Sequence, residues 1–336
     1  MRNLRFVIKR LFYMVFVLVG ISILIFLLAR VMPGDPARIA LGPNASKAQV
    51  EQLRERLGLD KPLHIQYYTF IKEICRGHMG ISLVTRRDVS QDIRKKFPAT
   101  FELVAFAMFL ALAGGLVLGI IASLNKDKAP DHASRMVAFA GVSLPRFWIG
   151  IMFQLVFAYY LGLLPLTGRV AGIPPTHITG LYLLDGILTG NWRAFGDSFM
   201  HILLPATTLC LSTLAQITRL LRASMVEQLR KDYTLVNRLM GMPEGMNIYK
   251  YMLKNAVTST LTITGLAFGS MLGNAFIVEK VFNWPGMARY GVNAVLQKDF
   301  NAIIGVTIIV GLGYLVINFL VDLIYSYLDP RMKLER

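Results

Sequence analysis

Apolar residues in this chain fall into six long blocks, at about residues 10–31, 100–124, 136–161, 201–221, 257–279 and 302–328. Each can cross the ~30 Å hydrocarbon layer of a bilayer, which an α-helix spans with about 20 residues. Hydrocarbon offers no hydrogen-bond partners, so blocks of this length predict helices whose backbone groups are satisfied internally. The first block is too long for a signal-peptide core and lacks a small-x-small cleavage pattern, so it reads as an uncleaved span. The polar stretches carry patterns of their own. Pro33-Gly34-Asp35-Pro36 predicts a turn. Ser46 with Gln49 predicts a capping box ahead of an apolar face formed by Val50, Leu53 and Leu57, with Gly58 as the stop. A second short helix is expected from about Pro62 to Arg76, ending at Gly77. The expected organisation is a tail and first span at 1–31, an outer helical loop at 32–98 and a five-helix core at 99–336.

One polar segment inside that core, 222–256, is unlike the others. Val226, Leu229, Tyr233, Val236 and Met240 recur at helical spacing on an otherwise charged segment. Gly241 is expected to be a left-handed stop and Pro243 a first-turn residue of the next helix. An amphipathic helical hairpin between two apolar blocks points to a docking surface.

Composition agrees with a membrane protein, because 54% of the 336 residues are hydrophobic. The net charge of +16 would suit a nucleic-acid binder, but the basic residues cluster at the ends of the blocks. Arg2, Arg5, Lys9 and Arg10 precede the first block, and Lys126, Lys128 and Arg135 lie between the second and third. Arg219, Arg222, Arg230, Lys231, Arg238, Lys250 and Lys254 surround the polar segment, and Arg331, Lys333 and Arg336 close the chain. The two alternate short loops hold only Arg169, Arg193, Arg289 and Lys298. That asymmetry predicts both termini on the cytoplasmic side, which makes 32–98 extracytoplasmic and 222–256 cytoplasmic. Cys75 and Cys210 form no C-x-x-C pair, and the histidines are scattered, so neither a disulfide nor a metal site is expected.

The chain has no G-x-x-x-x-G-K-[ST] loop, no H-E-x-x-H and no G-x-S-x-G. Its acidic residues mostly lie outside the blocks, which disfavours a proton relay. Uphill transport would therefore take its energy from a partner. An intramembrane enzyme lacks a nucleophile–base set, and a self-contained channel does not need a docking hairpin. Gly265, Gly269 and Gly273, like Gly115 and Gly119, have the four-residue spacing that lets helices approach closely. Four residues are candidates for a translocation path: Arg146, inside the third block, and Ser270, Asn274 and Glu279 in the fifth. A charge at the bilayer centre costs about 2.5–3.5 kcal/mol on insertion scales, so Arg146 should face protein or water.

Across its whole length the chain resembles the membrane permease subunits of ATP-binding-cassette importers, in the dipeptide, oligopeptide and nickel branch. The resemblance is carried by Pro33-Gly34-Asp35-Pro36, Leu57-Gly58-Leu59-Asp60-Lys61-Pro62, Pro98-Ala99-Thr100 and Ser143-Leu144-Pro145 with Phe147-Trp148. Leu204-Pro205-Ala206, Val278-Glu279, Val281-Phe282, Trp284-Pro285-Gly286 and Asp329-Pro330-Arg331 complete it. It implies an all-α integral membrane protein with the type I importer permease fold and six transmembrane helices. It also implies ATPase coupling through Asp232, Tyr233, Arg238, Gly241, Met242, Pro243 and Glu244, with Val236, Asn237, Leu239 and Met240 departing from the usual pattern. The partners implied are a second, similar permease, two ATPase subunits that bind ATP and magnesium, and an extracytoplasmic substrate-binding protein. This chain would hold no cofactor, bind no nucleic acid and lie in the bacterial inner membrane. The cargo implied is a dipeptide or oligopeptide, with a nickel chelate, a glutathione-like molecule or an oligosaccharide as alternatives.

Overall fold

The computed structural model describes residues 2–31, 36–42, 45–56 and 58–328. Among them the backbone is helical, with one isolated antiparallel bridge between Ile81 and Asp88 and no strand. In chain order the helices are α1 (Arg2–Val31), α2 (Pro36–Leu41), α3 (Lys47–Arg56), α4 (Leu63–Cys75), α5 (Val89–Leu124), α6 (Ala129–Ser143) and α7 (Arg146–Phe153). They continue with α8 (Tyr182–Leu188), α9 (Trp192–Leu229), α10 (Asp232–Leu239), α11 (Glu244–Met246), α12 (Leu253–Val281), α13 (Met287–Leu296) and α14 (Phe300–Leu328). Single stretches of π-helix extend α7 over Gln154–Tyr160 and join α11 to α12 over Asn247–Met252.

Local signals act as their chemistry requires. The Ser46 amide donates to Gln49 Oε1 at 2.9 Å while the Gln49 amide donates to Ser46 Oγ at 3.3 Å, so the capping box opens α3. Gly58 and Gly77 take φ of +62° and +85° where the two short helices end. The turn at 33–35 and the Asp329-Pro330-Arg331 corner lie outside the described residues, as does Leu57.

Two expectations change. The second block begins at Val89 rather than near residue 100, because α5 runs through Pro98 into the stretch assigned to the outer loop. The third block is two helices bent by 111°. Leu144, ahead of Pro145, is extended (φ −86°, ψ 138°), as the proline ring demands of the residue before it. Among the described residues four helices are long and apolar enough to cross a membrane, and the bent pair would make a fifth. The remaining expected block, 257–279, forms the 29-residue α12, of which the side chains at 258, 259, 261 and 262 are outside the described set.

Contacts divide the chain into two units: 1–99 with 285–313, and 100–284 with 314–336. In the first, Val89 and Ile93 of α5 pack on Met287, Tyr290 and Ala294 of α13 and on Ala302 and Val306 of α14. Two buried carboxylates sit beside this core. Ser82 donates to Asp299, and both Thr85 and Tyr290 donate to Asp92. Phe26 of α1 packs edge-on against Tyr67 of α4, and the Ser22 hydroxyl lies 2.8 Å from the Tyr67 hydroxyl.

In the second unit α9 is the central element, packing against α6, α7, α8 and α12. Glycines set how closely the helices approach. A methyl placed on Gly115 would come within 2.6 Å of Ile217, one on Gly119 within 3.0 Å of Leu221, and one on Gly265 within 2.6 Å of Val321. At Gly269 it would overlap the Tyr314 ring, whereas Gly273 has open space around it. The four-residue glycine spacing therefore serves helix packing at four positions and leaves the fifth free.

Gly265→Ala and Gly269→Ala should each cost about 1–3 kcal/mol through overpacking, while Gly273→Ala should be close to neutral. Thermal denaturation in detergent measures the difference, and equal midpoints for the three variants would contradict this packing.

Candidate functional site

The polar segment forms a braced hairpin. α10 ends at Leu239 with Met240 as its cap, Gly241 turns the chain at φ +74°, and Pro243 caps the helix that starts at Glu244. Pro243 thus stands one position before the helix rather than in its first turn. The Gly241 amide donates to the Arg238 carbonyl and the Met242 amide to the Asn237 carbonyl, both at 3.0 Å, which closes the helix end. Arg238 Nε reaches Glu244 Oε1 across the turn at 2.6 Å. Beneath it, buried Asn247 accepts from Asn237 Nδ2 at 3.0 Å, and buried Thr234 donates to the Gln228 carbonyl at 2.8 Å. Tyr233 donates to Gln228 Oε1, also at 2.8 Å. These bonds tie both arms of the turn to the end of α9.

The apolar stripe splits. Leu229 and Tyr233 pack against a core of Leu221, Met225, Met252 and Ala256. Val236 and Met240 turn outward beside Leu235 and Leu239, and Leu239 and Met240 are 79% and 80% exposed. Four adjacent apolar side chains on one exposed helix end cost free energy in water and mark an interaction surface. Of the other residues expected here, Asp232 opens α10 and Glu244 opens the following helix, both in the first turn where a carboxylate suits the positive helix end.

The expected path residues do not share one environment. Arg146 starts α7 immediately after the bend and donates to Ser212 Oγ of α9 at 3.0 Å. Ser270 and Asn274 sit together on α12, where Asn274 Nδ2 donates to the Ser270 carbonyl at 2.7 Å and lies 3.2 Å from its hydroxyl. Ser270 is exposed and next to the open space at Gly273. Glu279 is 0% exposed and accepts from the Thr100 hydroxyl at 2.5 Å. It is packed inside the helices of its unit.

Two buried ion pairs were not legible in the sequence, because their members lie far apart along it. Arg169, 7% exposed, donates through Nε at 3.0 Å and through its terminal nitrogen at 2.5 Å to Glu102 Oε2. Its guanidinium lies 3.6 Å above the Tyr182 ring and also reaches the Gly180 carbonyl. The Leu183 amide donates to the other Glu102 oxygen at 2.7 Å. Arg222 meets buried Asp131 through two bonds of 2.6 Å. Asp185 anchors the 179–180 turn beside Arg169 by accepting from the Thr179 amide and hydroxyl and the Gly180 amide. Burial alone would raise the Asp185 pKa, but these bonds outweigh it and the net shift is downward. A depressed carboxylate stabilises the turn above the ordinary carboxylate range and loses that contribution as pH falls through it.

Models of known families match nearly all of the chain. Residues 115–334 match the binding-protein-dependent transport system inner membrane component, and residues 3–104 match the N-terminal region of the same kind of membrane component. A probable D,D-dipeptide transport system permease protein of Escherichia coli strain K12 is 39% identical over 96% of both chains. A dipeptide transport system permease protein of Alkalihalophilus pseudofirmus is 38% identical over 98% of this chain and 99% of that one. A glutathione transport system permease protein of E. coli K12 is 35% identical, with the same coverage.

Removing one member of a buried ion pair leaves the other uncompensated, at a cost of about 3–5 kcal/mol. Glu102→Gln should therefore lower the denaturation midpoint strongly. Glu102→Gln with Arg169→Met should cost less than the sum of the two single changes. Strict additivity in that double-mutant cycle would contradict a direct pair.

Proposed function

This chain belongs to the binding-protein-dependent transport system inner membrane component family, and on that premise we propose that it forms half of the translocation path of an ATP-driven importer for dipeptides or oligopeptides. It is a multi-pass inner membrane protein and a transport subunit rather than an enzyme. The all-helical architecture fits the type I importer permease fold. Peptide cargo is supported by relatives that are peptide permeases over essentially their whole length. The glutathione permease relative favours a short peptide-like cargo as the second reading.

In this reading six spans place both termini in the cytoplasm. A second, similar permease completes the path, an external binding protein delivers cargo to the 32–98 side, and two ATPase subunits with their ATP and magnesium dock on 222–256. The observation that carries the coupling role is the exposed apolar end of α10, held on a hairpin braced by Arg238–Glu244 and Asn237–Asn247. Asp232, Tyr233, Gly241, Met242 and Pro243 shape that hairpin, and Leu235, Val236, Leu239 and Met240 supply the surface. Moving a two-state pore from 1:99 to 99:1 takes a differential of about 5.5 kcal/mol. A rigid helix seated in a cleft can transmit such a bias, whereas a mobile loop dissipates it. ATPase movement would then reach α9 and α12, which the hairpin joins.

Leu239→Asp combined with Met240→Asp should reduce ATP-dependent uptake at least about tenfold, since burying even one unpaired charge at an interface costs more than the ~1.4 kcal/mol this represents. Membrane insertion and pairing with the second permease should be retained. Gly241→Pro, which cannot adopt positive φ, should likewise uncouple ATP hydrolysis from uptake. Substrate-stimulated hydrolysis and uptake at wild-type rates in both variants would sink the docking role.

A further inference from the structure

The second unit treats its arginines unequally. Arg169 and Arg222 each meet a buried carboxylate, Glu102 and Asp131. Arg146 and Arg219 have none within ion-pairing distance among the described residues, and the one side-chain bond of Arg146 is to the neutral Ser212 hydroxyl. Ser212, Gln216 and Arg219 follow each other at i, i+4 and i+7, so they line one face of α9. Gln216 and Arg219 are exposed on that face, and Arg146 is half-buried beside it. The register is held closely, because a methyl on Gly141 would come within 2.8 Å of the Leu211 carbonyl, one residue before Ser212.

An arginine in a bilayer-spanning region without a counter-ion is costly to keep, faces the bundle interior or a water-filled cavity, and is a functional-site candidate by default. Its planar fork of N–H donors matches a carboxylate in two parallel bonds, and the Ser212 hydroxyl occupies only one donor. We propose that Arg146, oriented by Ser212, binds the terminal carboxylate of a substrate in the translocation path, with Gln216 and Arg219 continuing the polar track along α9. This rests on the peptide-importer reading and adds to it a charge requirement inside the membrane. A free carboxylate supplies the counter-ion that the chain itself withholds.

The complete importer, reconstituted in vesicles with its partner subunits, is given a labelled dipeptide or the same dipeptide with its C-terminus amidated, each at a concentration that saturates the binding protein. Arg146→Ser should lower free-acid uptake about tenfold, as expected for loss of a charge-assisted bond, while changing amide uptake less than about twofold. Arg146→Lys should give free-acid uptake between those of wild type and Arg146→Ser, because a point charge keeps the attraction but loses the fork. Equal loss of both substrates at normal assembly level would overturn the carboxylate site and leave a structural role. Unchanged uptake of both by Arg146→Ser would overturn it as well. Failure of the wild-type assembly to carry either peptide would overturn the peptide reading and this inference with it.

Discussion

Hydrocarbon cannot hydrogen-bond and solvates charge poorly, and the rest of this structure follows from that constraint. Backbone groups turn inward into long helices, and charged side chains that leave water find partners. Arg169 is enclosed by Glu102, the Gly180 carbonyl and the Tyr182 ring, and Arg222 is held by Asp131. Glu279 lies fully buried against Thr100. These contacts tie helices and loops together at positions where an unpaired group would be most expensive. Against that background, a cation left beside a serine and an apolar helix end left bare are the exceptions that carry functional information.

Without a hydrophobic force between helices in lipid, close approach is the main source of cohesion. Gly115, Gly119 and Gly141 admit side chains or backbone of α9, and Gly265 and Gly269 admit Val321 and Tyr314 of α14. The prolines act differently according to setting. Pro98 and Pro205 lie inside continuous helices, whereas Pro145 coincides with a 111° bend. The same ring that interrupts a helix there places Arg146 at the start of the next one, next to α9.

Much of the local structure, the turn of the candidate site included, could be read from residue pattern because its determinants are local. The capping box at Ser46 and Gln49 and the helix stops at Gly58, Gly77 and Gly241 each depend on a few adjacent residues. The apolar stripe of the 222–256 hairpin was also legible, but not its division. Periodicity groups Leu229, Tyr233, Val236 and Met240 on one face and cannot tell which of them meet a core. The fold around the hairpin buries the first two and leaves the last two outward.

Blocks of hydropathy, charge asymmetry and turn chemistry were enough to identify an all-helical membrane protein. Those properties are sums over neighbouring residues, so a linear reading captures them. The start of α5 at Val89, the bend at Pro145, the pairing of Arg169 with Glu102 and the isolation of Arg146 emerged only in three dimensions. The contacts of Arg169 with Glu102 and of Arg146 with Ser212 join residues 67 and 66 positions apart. Whether a charge is neutralised is a property of what surrounds it, and chain order does not encode that directly.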